Sequence, residues 1–181
     1  MKLIAIVGMC GSGKSIACEY YENLGFKKVY FGGVTIDKLK ELNLEINETN
    51  EKKIRENLRK EYGMAAYAYI LLPKIEELLK DNNVVIDGLY SWDEYKVLKD
   101  KFKDNFVLLS IVVDKDIRYN RLENRSFRRL DKNDALKRDI SEIESLAKGG
   151  PISFADYYIL NNSNEEDYKK ELERITSKIM E

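Results

Sequence analysis

The sequence predicts an α/β fold of the P-loop NTPase class: a parallel sheet with helices on both faces. Three observations predict it. Gly8-Met9-Cys10-Gly11-Ser12-Gly13-Lys14-Ser15 meets the pattern G-x-x-x-x-G-K-[ST] between an apolar run and an amphipathic segment. Several short apolar runs show no polar alternation, as strands buried on both faces of a parallel sheet do not. Between those runs lie stretches with apolar residues at helical spacing, and strands alternating with helices make βαβ units.

Taken in chain order, the strands are expected at Lys2 to Val7, Val84 to Ile86, Phe106 to Val113 and Tyr157 to Leu160, with Val29 to Phe31 a weaker fifth. Ile16, Tyr20 and Leu24, joined by Ala17 and Tyr21, mark a first helix that stops at Gly25, a residue suited to the left-handed turn past a helix end. Ile54, Leu58 and Tyr62 mark another, which runs toward Met64 to Lys80 with interruptions at Gly63 and Pro73, where a kink or break is expected. Ser91 with Glu94, and Ser163 with Glu166, have capping-box spacing and place two later helix starts.

The glycine loop carries the first chemistry. Its glycines let backbone amides turn toward an anion. Lys14 brings a point charge for the β- and γ-phosphates, Ser15 a hydroxyl for Mg²⁺, and the helix that starts near Gly13 its positive dipole end. Val84-Val85-Ile86-Asp87 is an apolar strand that ends in a carboxylate, which suits Mg²⁺ held through water at the sheet edge. A mechanical ATPase places a second acid after such an aspartate, and here Gly88 follows. Asp131-Lys132-Asn133-Asp134 is not the guanine-reading Asn-Lys-x-Asp and follows no strand, so a kinase remains.

A kinase must cover the transferring phosphoryl group and neutralise it. Between Arg118 and Arg138 the chain has eight basic residues against three acids. Arg118, Arg121, Arg125 and Arg129 would fall within about 80° of one another on a continuous helix, a stripe that without matching acids suggests a polyanionic ligand. A second candidate site lies between Phe31 and Ala68. Gly32-Gly33 allows close approach of a ligand, and Arg55 and Arg59 share a helix face with Lys52, a set that could hold the acceptor's phosphate.

Composition limits the alternatives. At 181 residues with a formal charge of −1, the chain fits one domain with no net attraction for nucleic acid. The absence of histidine excludes histidine triads, histidine bases and histidine metal sites. No apolar run approaches the roughly 20 residues a bilayer requires, and the placement of Cys10 and Cys18 fits a reduced compartment; a cytoplasmic protein is expected, with neither a membrane nor a nucleic-acid partner.

These motifs resemble the adenylate-kinase-related, dephospho-CoA-kinase-like P-loop proteins over essentially the whole chain. The resemblance rests on Ile6 through Ser15, Val29-Tyr30-Phe31-Gly32-Gly33-Val34, Leu58-Arg59-Lys60-Glu61-Tyr62-Gly63, Val85-Ile86-Asp87-Gly88, Ile117-Arg118-Tyr119 through Arg125, and Ala155-Asp156-Tyr157 through Asn162. It implies a nucleoside-monophosphate-kinase architecture with a five-stranded parallel core (1–31, 81–118, 140–181), an acceptor-binding insert (32–80) and an arginine lid (119–139). The segment from Ala155 to Asn162 is similar to the strand and loop that flank adenine in dephospho-CoA kinases, which implies ATP as donor and Asn161 beside it. Carried over by position, Gly8, Met9, Cys10, Gly11, Ser12, Gly13, Lys14 and Ser15 cradle the nucleotide. Lys14, Arg121 and Arg125 stabilise the phosphoryl group, Ser15 and Asp87 support Mg²⁺, and Arg59 grips the acceptor. The chain lacks the Pro-Arg that follows Asp-Gly-aromatic in adenylate kinases. The expected function is therefore an ATP- and Mg²⁺-dependent phosphotransferase on a nucleotide-like acceptor, a nucleoside monophosphate or dephospho-CoA. The alternative is a nucleotide-binding regulatory protein without appreciable turnover.

Overall fold

The computed structural model describes residues 1–126 and 128–181, and for Glu48 the backbone only. Five strands form one all-parallel sheet in the order β2-β3-β1-β4-β5: β1 Leu3–Val7, β2 Lys27–Tyr30, β3 Val84–Asp87, β4 Phe106–Val112 and β5 Tyr157–Leu160. β1 is central and buried at every residue, which is why its sequence is uninterruptedly apolar. Its alternate residues face opposite layers. Leu3, Ala5 and Val7 join one core with α4 Ala66–Leu79 and α5 Trp92–Phe102, while Ile4 and Ile6 join the other with α1 Lys14–Asn23 and α9 Glu165–Met180.

The two edge strands are the least buried. Only Val29 is buried in β2 and only Ile159 in β5, so β5 is not covered on both faces as its run of apolar residues suggested. An edge strand has one neighbour, and Leu160 there is 62% exposed.

Among the helices, α1 buries Ala17, Cys18 and Tyr21, whereas Leu24 of the expected stripe is half exposed. It ends in a Schellman turn, with the amides of Gly25 and Phe26 donating to the carbonyls of Glu22 and Tyr21. α2 Gly33–Glu41 and α3 Glu48–Tyr62 follow β2. The break expected between the next two helices occurs at Gly63, while α4 runs unbroken through Pro73 because Ala66, Tyr67, Ala68 and Ile75 anchor it in the core. The Ser91–Glu94 capping box is present in full. The α9 start is shifted by one residue from the expected box: Asn164 accepts from the Asp167 amide. A 3₁₀ turn, Lys103–Asn105, leads from α5 into β4.

Past β4 come α6 Lys115–Asn124, α7 Lys132–Leu146 and the short α8 Gly149–Ser153. The arginine stripe is not continuous, because α6 ends at Asn124 and Arg125 is already extended, with Arg129 in the connecting loop. The expected lid boundaries, 119 and 139, fall inside α6 and α7, and Phe127 within that span lies outside the described residues. No helix among the described residues is long and apolar enough to cross a membrane.

Candidate phosphate-binding site

The glycine loop leaves the C-terminal end of central β1 and enters α1. Gly13 at the turn has φ 95°, and a Cβ there would meet the Asn161 side-chain nitrogen at 2.5 Å. Gly11 has φ 83°, with the Arg118 carbonyl 2.9 Å from where a Cβ would stand. Four carbonyls of the loop accept from side chains, three of them from outside the loop. Lys14 Nζ donates to Met9 O at 2.9 Å, Arg118 Nη1 to Cys10 O at 2.9 Å, Asn161 Nδ2 to Ser12 O at 2.9 Å and the Tyr168 hydroxyl to Gly13 O at 3.1 Å. With the Cys10, Ser12 and Gly13 carbonyls held from outside, the loop interior is suited to an anion, and the first-turn amides of α1 have no intrahelical partner. Ser12 Oγ is buried without a hydrogen bond.

Lys14 folds over this interior. Burial, and then the charge of Lys148, lower its ammonium to about 8, against smaller opposing contributions from Cys10, Glu142 and Asp87. Asp87 ends β3 beside it, its carboxyl raised by burial and countered by Lys14 and Lys28. Ser15 is exposed on the first turn of α1. Among the described residues no three acids or thiols gather as a metal cluster. That donor set fits Mg²⁺, which binds through phosphate oxygens and water with one or two protein oxygens.

The arginines separate into different roles. Arg118, read from sequence as the start of an unmatched stripe, is buried and bidentate to Asp139 of α7, Nη1 to Oδ1 at 3.1 Å and Nη2 to Oδ2 at 2.7 Å. It is a clamp that joins α6, α7 and the Cys10 carbonyl. Arg128 pairs with Glu51 of α3 at 2.6 Å, so acids from elsewhere in the chain do match part of the basic window. Arg121 donates to the Ser163 carbonyl at 3.3 Å, and Arg125 to the Arg128 carbonyl. Neither of these contacts is with the loop interior.

In the segment expected to bind the acceptor, Gly32 stands at the N-cap before α2, and the space above it is taken by the ring of Tyr30, so what approaches this backbone here is a side chain of the same chain. Arg55 reaches Glu51 at 3.4 Å. Arg59 lies over the Tyr67 ring at 5.5 Å with a buried Nε lacking a hydrogen-bond partner. Arg55 and Arg59 thus belong to one helix face, as their spacing requires, but have different neighbours.

Two residues that sequence reading passed over, Glu142 and Lys148, act on Lys14 through their charges. Glu142 accepts from Arg138 Nε at 3.2 Å and from Lys148 Nζ at 2.7 Å, and the buried Lys148 lies over Tyr90 at 5.5 Å. The Arg138–Glu142 spacing of four was legible as a helical pair. Nothing in Lys148-Gly149-Gly150-Pro151 marks a buried cation.

The loop after Asp87 is braced by Glu94, whose Oε2 accepts the amides of Tyr90 at 2.7 Å and Ser91 at 3.0 Å while Oε1 is buried without a partner. Burial pushes this carboxyl from 4.5 up to about 7 in spite of both donors. The fold then holds a proton that the unfolded chain releases, so this contribution to stability is complete below about pH 4.5 and lost as pH rises through about 7. Glu94→Gln should flatten that slope, with urea midpoints at pH 5 and pH 8 closer together than in the parent. An unchanged difference would show that Glu94 does not titrate in this window.

Comparison with known proteins agrees with the fold. Residues 4–148 match the AAA_18 family, described as an AAA domain. The chain is 32% identical over 183 aligned positions to a UPF0200 protein of Thermococcus kodakarensis, with 98% of each covered. Among solved structures it is similar to a shikimate kinase from Bacteroides thetaiotaomicron (TM-score 0.63, 14% identity, 99% of both chains). It is also similar to the dephospho-CoA kinase from Campylobacter jejuni (TM-score 0.57, 18% identity, 98% of this chain and 97% of that one). At such identities the likeness is one of fold, and that fold is the kinase-like P-loop architecture.

Proposed function

The chain belongs to the UPF0200 family and contains an AAA domain, and on that premise we propose that it is an ATP- and Mg²⁺-dependent phosphotransferase whose acceptor is a small nucleotide-like molecule, a nucleoside monophosphate or dephospho-CoA. The observation that carries this reading is the loop from Gly8 to Ser15, three of its carbonyls bound from outside and Lys14 closed over its interior on the Met9 carbonyl.

In this reading the loop amides and Lys14 hold the β- and γ-phosphates, and Asn161 flanks the nucleoside from the β5 side. Arriving phosphate oxygens stabilise the charge of a lysine whose ammonium burial lowers to about 8. Mg²⁺, held with Ser15 and Asp87, would supply charge neutralisation between the phosphates. Gly32, Gly33, Arg55 and Arg59 belong to an acceptor-binding insert spanning 32–80, and Arg121 and Arg125 to a lid spanning 119–139 whose arginines turn from backbone carbonyls to the phosphoryl group when nucleotide binds. The acceptor hydroxyl or phosphate is aligned for in-line attack, and closure excludes water. The solved neighbours act on chemically different acceptors, so fold alone does not choose one.

The test is a panel of ribo- and deoxynucleoside monophosphates plus dephospho-CoA, each incubated with MgATP and analysed by mass spectrometry. One acceptor should be phosphorylated faster than ATP is lost to water. Steady hydrolysis whatever the acceptor would make the protein an ATPase. Tight nucleotide binding with no transfer to any acceptor would favour a regulatory protein, the reading that the missing Pro-Arg after Asp87-Gly88-Leu89 supports.

A further inference from the structure

Lys148 carries a charge that solvent does not stabilise. It is 1% exposed between α7 and α8, and the preceding Ala147 adopts a left-handed conformation with φ 50° that turns the chain inward. Its ammonium donates to Glu142 Oε2 at 2.7 Å and lies 5.5 Å from the Tyr90 ring centroid. Tyr90 in turn covers Gly88, where an added Cβ would meet the Tyr90 hydroxyl at 2.8 Å, and Gly88 directly follows Asp87. Lys148 is thereby placed on the β3 side of the phosphate loop. Asn161 and Tyr168 hold Ser12 and Gly13 from the β5 side.

The local charge balance agrees. One carboxylate, Glu142, serves both Arg138 and Lys148, and the charge of Lys148 also acts on Lys14. The two lysines thus repel one another in a water-poor interior, a repulsion that a polyanion between them relieves. A lysine buried for stability alone gains little over a well-packed apolar side chain of similar volume.

We propose that Lys148 is a second phosphate-binding lysine, which meets the terminal phosphate of the nucleotide from the β3 side while Lys14 meets it from the loop, with Glu142 as its positioning residue. This rests on the nucleotide reading above and adds a means of distinguishing ATP from ADP. The test is calorimetric binding of MgATP and MgADP to the parent chain, to Lys148→Met, to Lys148→Met combined with Glu142→Gln, and to Lys148→Arg. The double variant leaves no unpaired buried carboxylate at position 142, so it separates lost binding from lost folding. Both methionine forms should lose about tenfold or more in ATP affinity and less than about threefold for ADP, as expected for one charge-assisted contact. Lys148→Arg should keep the preference for ATP. A folded double variant with the parental ATP-to-ADP ratio, equal losses for both nucleotides, or an arginine form without the preference would each overturn the role of Lys148 and leave the nucleotide reading standing. A parent chain that binds neither nucleotide would overturn the nucleotide reading itself, and this proposal with it.

Discussion

Replacing Lys14 by methionine should lower phosphoryl transfer by about 10²- to 10³-fold, the usual cost of removing one preorganised charge from a transition state, and should leave the melting temperature no lower. The two halves have one cause. Lys14 is held over the loop interior by a single bond to the Met9 carbonyl, and burial together with Lys148 already presses its ammonium down to about 8. Near neutral pH both folded and unfolded chains hold that proton, so the fold carries the whole penalty, and stability from this group rises only as pH passes from about 8 toward 10.5. Methionine removes the penalised charge and keeps the aliphatic stem. Transfer rates and thermal melts at pH 7 check both. A folded variant with parental MgATP affinity and turnover would remove the phosphate loop from the mechanism.

Replacing Arg118 by methionine should instead unfold the protein more readily, by about 3 to 5 kcal/mol, because it strands a buried carboxylate. Asp139 would retain only the Tyr119 hydroxyl at 3.2 Å, and the Cys10 carbonyl would lose its donor. The combination Arg118→Met with Asp139→Leu should recover much of the loss, since two apolar side chains need no partner. Urea denaturation of the single and double variants measures both effects. A loss below about 1 kcal/mol in the single variant, the size seen for exposed pairs, would return Arg118 to the solvated surface that its place in a basic window suggested.

Lys14 and the strands show what local sequence makes legible. Lys14 lies within eight consecutive positions between a strand and a helix, a local arrangement that chain connectivity alone sets. The central strands were legible for a related reason, since burial on both faces permits only apolar side chains and leaves an unbroken run. The edge strands were harder. β2 is Lys-Lys-Val-Tyr, and one-sided packing places little constraint on three of its four residues. The Ser91–Glu94 box was visible because a helix start needs donors and acceptors at a set local spacing.

Arg118 and Lys148 show the opposite case. The sequence by itself determined the five strands, the glycine loop with the helix after it and the carboxylate at the end of β3, because each depends on neighbours within a few residues. Only the tertiary structure decided which of the many cations are clamps and which face the site. Arg118 meets Asp139 across 21 residues of chain, and Lys148 comes near Lys14 from more than a hundred residues away. A charged side chain has the same helical spacing whether it points to water or into a core, and its role is set by the dielectric and the partners around it, which exist only once the chain has folded.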